Sequence, residues 1–96
     1  MTIVLSRYGR SFATRSRARE LVSQVAEPSG ARAVVSCEGV FASPSFLAEF
    51  LSLLCERFGQ VEFRGADESL AHVIRRLIVQ LQLEGRAVVD HATVPA

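Results

Sequence analysis

Short β-branched stretches alternate with longer stretches of helical period along this chain, and that order leaves few folds open. Thr-Ile-Val-Leu-Ser at 2–6, Ala31 to Cys37 and the period-two run Gln60-Val61-Glu62-Phe63-Arg64 read as strands. Between and after them lie three helical patterns. Ala18, Leu21, Val22, Val25 and Ala26 share one helix face. Phe46, Leu47, Phe50, Leu51, Leu53, Leu54 and Phe58 spread over more than one stripe, which predicts a largely buried helix. Leu70, Ile74, Leu77, Ile78 and Leu81 form the third face. A strand followed by a helix and another strand requires a crossover, so the sheet is predicted to be largely parallel. The expected fold class is α/β, a single small domain with a mostly parallel four- to five-stranded sheet and about three helices.

Local signals set the expected boundaries. Gly9 permits a turn at 7–10, after which Ser11-Phe12-Ala13 could return as the second strand of a hairpin. Thr14 or Ser16 can cap the first helix, and Glu27-Pro28-Ser29-Gly30 ends it. The unalternating Ala33-Val34-Val35 suits an interior strand covered on both faces. Ser43 at the N-cap and Pro44 at the first helical position start the second helix sharply, and Gly59 is read as its end. Asp67 or Ser69 opens the third helix and Gly85 is read as its stop. Residues 86–90 have the composition of a last strand, placed at a sheet edge or paired between two chains, and 91–96 read as a loose tail.

The chain has 96 residues, which allows one domain and argues against two. No apolar run exceeds three residues, against the roughly 20 that a membrane span needs. The N-terminus lacks a secretory h-region, so the expected location is cytoplasmic. Net charge is +1 but uneven: residues 1–32 carry six arginines against two glutamates, and residues 33–96 carry five arginines against eight acids. Cys37 and Cys55 fit two reduced, buried thiols. With His72 and His91 they match no compact zinc-ligand spacing. No metal and no cofactor is expected.

No P-loop, dinucleotide-binding glycine fingerprint or nucleophile elbow is present, and neither histidine has a partner in sequence. The chain therefore reads as non-enzymatic. The informative segment is 39–49, which joins a central strand to the most buried helix. Ser43 caps there, while Ser45 sits in the first turn, where the helix dipole would favour an added phosphate. Arg7, Arg10, Arg15, Arg17 and Arg19 fall within 13 residues and could form a basic face for nucleic acid or nucleotide. The competing reading is a solvated helix face with Arg15 paired to a carboxylate.

The stretch from Gly9 through Phe12, Arg15 and Ala18 to Leu21 resembles the opening of the STAS-like domains of unknown function found in bacteria. Val34-Val35, Gly39-Val40 and Ser45-Phe46-Leu47-Ala48-Glu49 resemble their central strand and following helix, and the likeness extends to Val73–Arg76. The resemblance implies that residues 1–96 form one STAS-like domain, a regulatory protein-interaction module akin to anti-sigma-factor antagonists. Such domains bind a GHKL-type ATPase or serine kinase, and their phospho-acceptor serine corresponds to Ser45. It implies partner binding through Ser43, Ser45 and Glu49. The chain departs from the family's pattern at Ser43, Pro44 and Phe46, where an acid, a serine and a glycine are usual, and Ala48 stands beside a single acid, Glu49. The alternative function is a nucleic-acid or nucleotide-binding domain using Arg10, Arg15, Arg17 and Arg19 on the Arg7–Arg19 face.

Overall fold

In the computed structural model of the chain the described residues are 1–25 and 30–89. The expected loop at 27–29, Ala26, Asp90, His91 and the tail lie outside them. In chain order the elements are β1 (Thr2–Val4), a 3-10 turn (Leu5–Arg7), β2 (Ser11–Phe12), α1 (Arg15–Val25), β3 (Gly30–Ser36), β4 (Phe41–Ala42), α2 (Pro44–Arg57), β5 (Phe58–Arg64), α3 (Glu68–Gln80) and β6 (Ala87–Val89). A four-stranded sheet has the order β1-β3-β5-β6 with every pair parallel. β2 and β4 form a separate two-stranded parallel ribbon. The fold is thus a small α/β domain with three helices and a parallel sheet, and 87–89 supply the edge strand β6.

Each crossover steps one strand in the same direction across the sheet. Crossovers of one hand then put all three helices on one face. Burial follows that rule. Ile3, Ala33, Val35, Val61, Phe63 and Ala87 point into one continuous core with Leu21, Val22, Phe46, Phe50, Leu54, Ile74 and Leu77. The opposite face carries Thr2, Val34, Glu62 and Val88 in register across all four strands. Thr2 is exposed, Val34 and Glu62 are half-buried, and Val88 is 54% exposed. β3 is therefore interior to the sheet but covered by the described residues on one face only, and the expectation of cover on both is corrected. The unalternating Ala33-Val34-Val35 is compatible with a single covered face because valine serves equally on a buried and on a half-open face.

On that open face Glu62 accepts hydrogen bonds from Arg64 Nε at 2.9 Å and from Arg32. The Arg64 bond first, and the Arg32 bond after it, hold the Glu62 carboxyl below the usual carboxylate range. An ionised side chain at the centre of a sheet is tolerable here because two guanidinium groups neutralise it at a water-facing site.

Four further expectations change. The hairpin does not form: after β1 the chain turns through Leu5–Arg7, and Ser11–Phe12 pairs in parallel with Phe41–Ala42. β1 is also shorter than 2–6, because Leu5 is drawn into that turn with its side chain fully buried. Gly59 does not end the second helix. α2 stops at Arg57, Phe58 is already extended, and its buried ring lies over Gly30, where a Cβ would stand 3.0 Å from the ring. Gly85 does not stop the third helix. Gln82, at φ 57°, takes the left-handed position, with Gln82 N–H donating to Val79 O at 3.1 Å and Leu83 N–H to Ile78 O at 2.8 Å. These bonds make a Schellman turn without glycine.

The capping signals were well placed. Thr14 Oγ1 accepts Arg17 N–H at 3.1 Å, Ser43 Oγ accepts Phe46 N–H at 3.1 Å, and Asp67 Oδ1 accepts Leu70 N–H at 2.8 Å. Each short polar side chain satisfies an amide that the first helical turn leaves without a carbonyl.

Candidate functional site at the carboxyl edge of the sheet

In a parallel sheet the strands all end at one edge and the helices begin there, which concentrates loops and unpaired helix amides. Here that edge consists of the loop from Leu5 to Thr14 with β2, the loop from Cys37 to Ser43 with β4, and Gly65 to Asp67. The β2–β4 ribbon holds the first two loops together: Phe41 N–H donates to Arg10 O at 2.8 Å and Ser43 N–H to Phe12 O at 2.9 Å. Beneath it Phe12, Phe46 and Phe50 pack in a column, with successive ring centroids 5.1 Å apart, the first pair tilted and the second stacked. The column ties the ribbon to α2 and fixes the start of that helix.

Ser43 is used internally. Besides capping α2, its Oγ donates to Ala13 O at 2.9 Å, which links the starts of α1 and α2. Ser45 lies one residue past Pro44, exposed, with no side-chain hydrogen bond among the described residues. Glu49, one turn later on the same flank, is held from α1 by Arg15 at 3.6 Å and Arg19 at 3.3 Å. The sequence-derived pairing of Arg15 with a carboxylate is thus present. Of the three residues assigned to partner binding, Ser45 alone presents a side chain with no internal engagement.

The arginine cluster is likewise partly occupied. Arg17 donates to Glu20 at 3.0 Å and to Tyr8 O at 2.8 Å, and its guanidinium lies 5.5 Å from the Phe12 ring centroid. Arg15, Arg17 and Arg19 therefore serve to fasten α1 to α2 and to the first loop. Arg7 and Arg10 are exposed and form no ion pair among the described residues.

Cys37 and Cys55 are both free and buried. Burial pushes the Cys37 thiol up to about 12. Burial also raises Cys55, against an opposing pull from Arg86, which donates to the Cys55 carbonyl. Neither has the lowered pKa that makes a thiol a ready nucleophile or metal ligand. His72 is exposed on α3. Among the described residues no three His, Cys, Asp or Glu side chains gather as a metal site, and no helix is long and apolar enough to cross a membrane.

The other side of Pro44 carries no motif in the sequence. There a groove of about 180 Å³ opens between β4 and the start of α3, lined by Val40, Phe41, Pro44, Leu70 and Val73. Phe41 is 64% exposed at its lip. In sequence the run Val40-Phe41-Ala42 looks only like a lead into the helix, and no signal in it shows that its phenylalanine faces water.

The chain matches no protein-family model, no curated protein and no solved structure.

Proposed function

We propose that this chain is a non-enzymatic regulatory module that binds a protein partner at the start of α2, in the manner implied by its resemblance to STAS-like, anti-sigma-factor-antagonist domains. The expected partner is a GHKL-type ATPase or serine kinase, the expected phospho-acceptor is Ser45, and the expected setting is the bacterial cytoplasm. The observation that carries this reading is Ser45 itself. It is exposed in the first turn of a helix whose cap, proline and aromatic underside are all fixed. A hydroxyl placed so can be modified without disturbing the core. Added phosphate carries roughly −1.5 to −2 charge at neutral pH and meets the favourable end of the helix dipole. Arg15 and Arg19 lie one turn away around Glu49. A partner packed against the neutral serine would instead have to bury that charge.

The test begins with capture of partners on the immobilised full chain, compared with Ser45→Asp and Ser45→Ala. Ser45→Asp should leave the Tm nearly unchanged and weaken the captured partner about tenfold, equal to about 1.4 kcal/mol. Incubation with a GHKL-type serine kinase and ATP should place phosphate on the wild-type chain and not on Ser45→Ala. Equal capture by all three chains, with no phosphate at Ser45, would remove this reading.

A further inference from the structure

The parallel ribbon and the two helices that follow it share one register. Ser11 and Phe12 stand opposite Phe41 and Ala42. Ser43 Oγ then reaches Ala13 O, and further on Arg19 reaches Glu49, each again across 30 residues of chain. Both helices leave the carboxyl edge of the sheet, so α1 and α2 pack side by side and run in the same direction. Equal helical steps keep the two in level. Two residues past the Ala13–Ser43 bond, the level neighbours across the seam are Arg15 and Ser45. One turn later they are Arg19 and Glu49.

Arg15 is nevertheless paired one turn out of level. Its guanidinium reaches diagonally to Glu49 at 3.6 Å, where Arg19 already stands at 3.3 Å. Two guanidinium groups on one carboxylate leave one positive charge uncompensated. The side chains of Arg15 and Arg19 are 59% and 57% exposed, so packing holds neither in place. Arg17 does not enter the cluster, because Glu20, Tyr8 O and the Phe12 ring engage it. Ser45 and Glu49 lie four residues apart on one flank of α2. An anion carried by Ser45 would therefore meet Arg15 at its own level.

We infer that Arg15 is the residue that captures phosphate on Ser45: once Ser45 is phosphorylated, Arg15 leaves Glu49 for the phosphate oxygens and Arg19 keeps Glu49. Phosphate is the stronger partner, with roughly −1.5 to −2 charge and three acceptor oxygens. A guanidinium fits it with two parallel N–H donors, as an ammonium cannot. Phosphate and Glu49 repel each other at four residues' spacing, and the exchange gives each its own cation. One shared carboxylate is thus replaced by two level pairs, Arg15 with Ser45 and Arg19 with Glu49. The pairs tie α1 to α2 across the surface assigned to the partner. The inference rests on reading Ser45 as a phospho-acceptor and adds the residue through which the modification acts.

The test uses the full chain with phosphoserine installed in place of Ser45 by ligation or during translation, so no kinase is needed. Free phosphoserine takes up its last proton near about pH 6. Phosphorus NMR titration should find that value lowered by about 0.5 in the chain with Arg15, since a cation beside the phosphate favours the dianion. Arg15→Ala should remove at least half of the lowering, Arg15→Lys should keep most of it, and Arg19→Ala should remove less than Arg15→Ala does. Arg15→Ala should also lower the Tm by about 2 °C or more beyond its effect on the unmodified chain. A purely structural Arg15 would lower both Tm values equally and leave the phosphate titration where it was. Either of those results, or a lowering that depends on Arg19 and not on Arg15, would overturn the inference. An Arg15-dependent phosphate in a chain that no kinase modifies would leave this pairing standing and remove the phospho-acceptor reading of Ser45. Phosphate placed there by a kinase but indifferent to Arg15 would do the reverse.

Discussion

Cys37 lies just beyond the end of β3, where its thiol is buried, and the consequence for stability has a definite sign. An exposed thiol titrates near about 8.5, while burial pushes Cys37 up to about 12. The folded state favours the neutral thiol, so its contribution to stability is complete below the unfolded value. It is lost as pH rises from there toward the folded one. Denaturant midpoints measured from about pH 8 to about pH 10.5 should fall for the wild type and fall less steeply for Cys37→Ala. At the same scale Ser43 and Ser45 differ in role despite their spacing. Ser43→Ala removes the bonds to Phe46 N–H and Ala13 O and should cost about 1–2 kcal/mol. Ser45→Ala should shift stability by no more than about 0.5 kcal/mol, both variants being read by urea titration. The serine–proline pair is legible in the sequence because a cap and a helix-initiating proline act locally. That Ser43 also reaches Ala13 is not legible, since the two meet only through the parallel ribbon.

Among the elements, the starts of helices follow local rules more faithfully than their ends. Thr14, Ser43 and Asp67 each bond an amide three residues on, an interaction decided within one turn. The ends are decided by what comes next. α2 gives way directly to β5 because Phe58 is taken into the core beside Gly30, and Gly59 is needed for close approach, with a Cβ there 3.2 Å from Ala31 O. α3 closes on Gln82 in a left-handed conformation, which costs an L side chain about 1 kcal/mol relative to glycine. Gln82→Gly should therefore raise stability by up to about 1 kcal/mol, read as a higher Tm with unchanged helix content. A loss would mean that the Gln82 side chain supports the turn in a way its backbone does not reveal. The short strands carry the weakest local signal. Ser11–Phe12 and Phe41–Ala42 carry too few residues for any period, and only their distant partner makes them strands.

At the scale of the molecule, the organising fact is that the described residues cover one sheet face and leave the other open. Adjacent valines in β3 test it with a single chemistry. Val35→Thr buries a hydroxyl in the core and should cost about 1–3 kcal/mol. Val34→Thr, on the face that carries Glu62 and Val88, should stay within about 0.5 kcal/mol. Equal losses at both positions would mean that the second face is covered in solution. The candidate site was legible in part. Pro44, Ser43 and Ser45 stand out in the sequence, and so does the cluster from Arg7 to Arg19. The engagement of Glu49 by Arg15 and Arg19, and the groove that joins Phe41 to Val73 and Arg76, do not stand out, because they bring together residues from different elements. By itself the sequence determined the number and order of the helices, the start of the second and the starts of the other two to within about two residues, and the parallel sense of the sheet. Periodicity, caps and the need for crossovers act through near neighbours or through connectivity. Only the tertiary structure decided that all three helices share one face, that the second short strand pairs with the fourth and not the first, and which arginines remain available. Those outcomes depend on which strand lies beside which, and burial, pairing and charge neutralisation between distant residues are settled only when the chain closes.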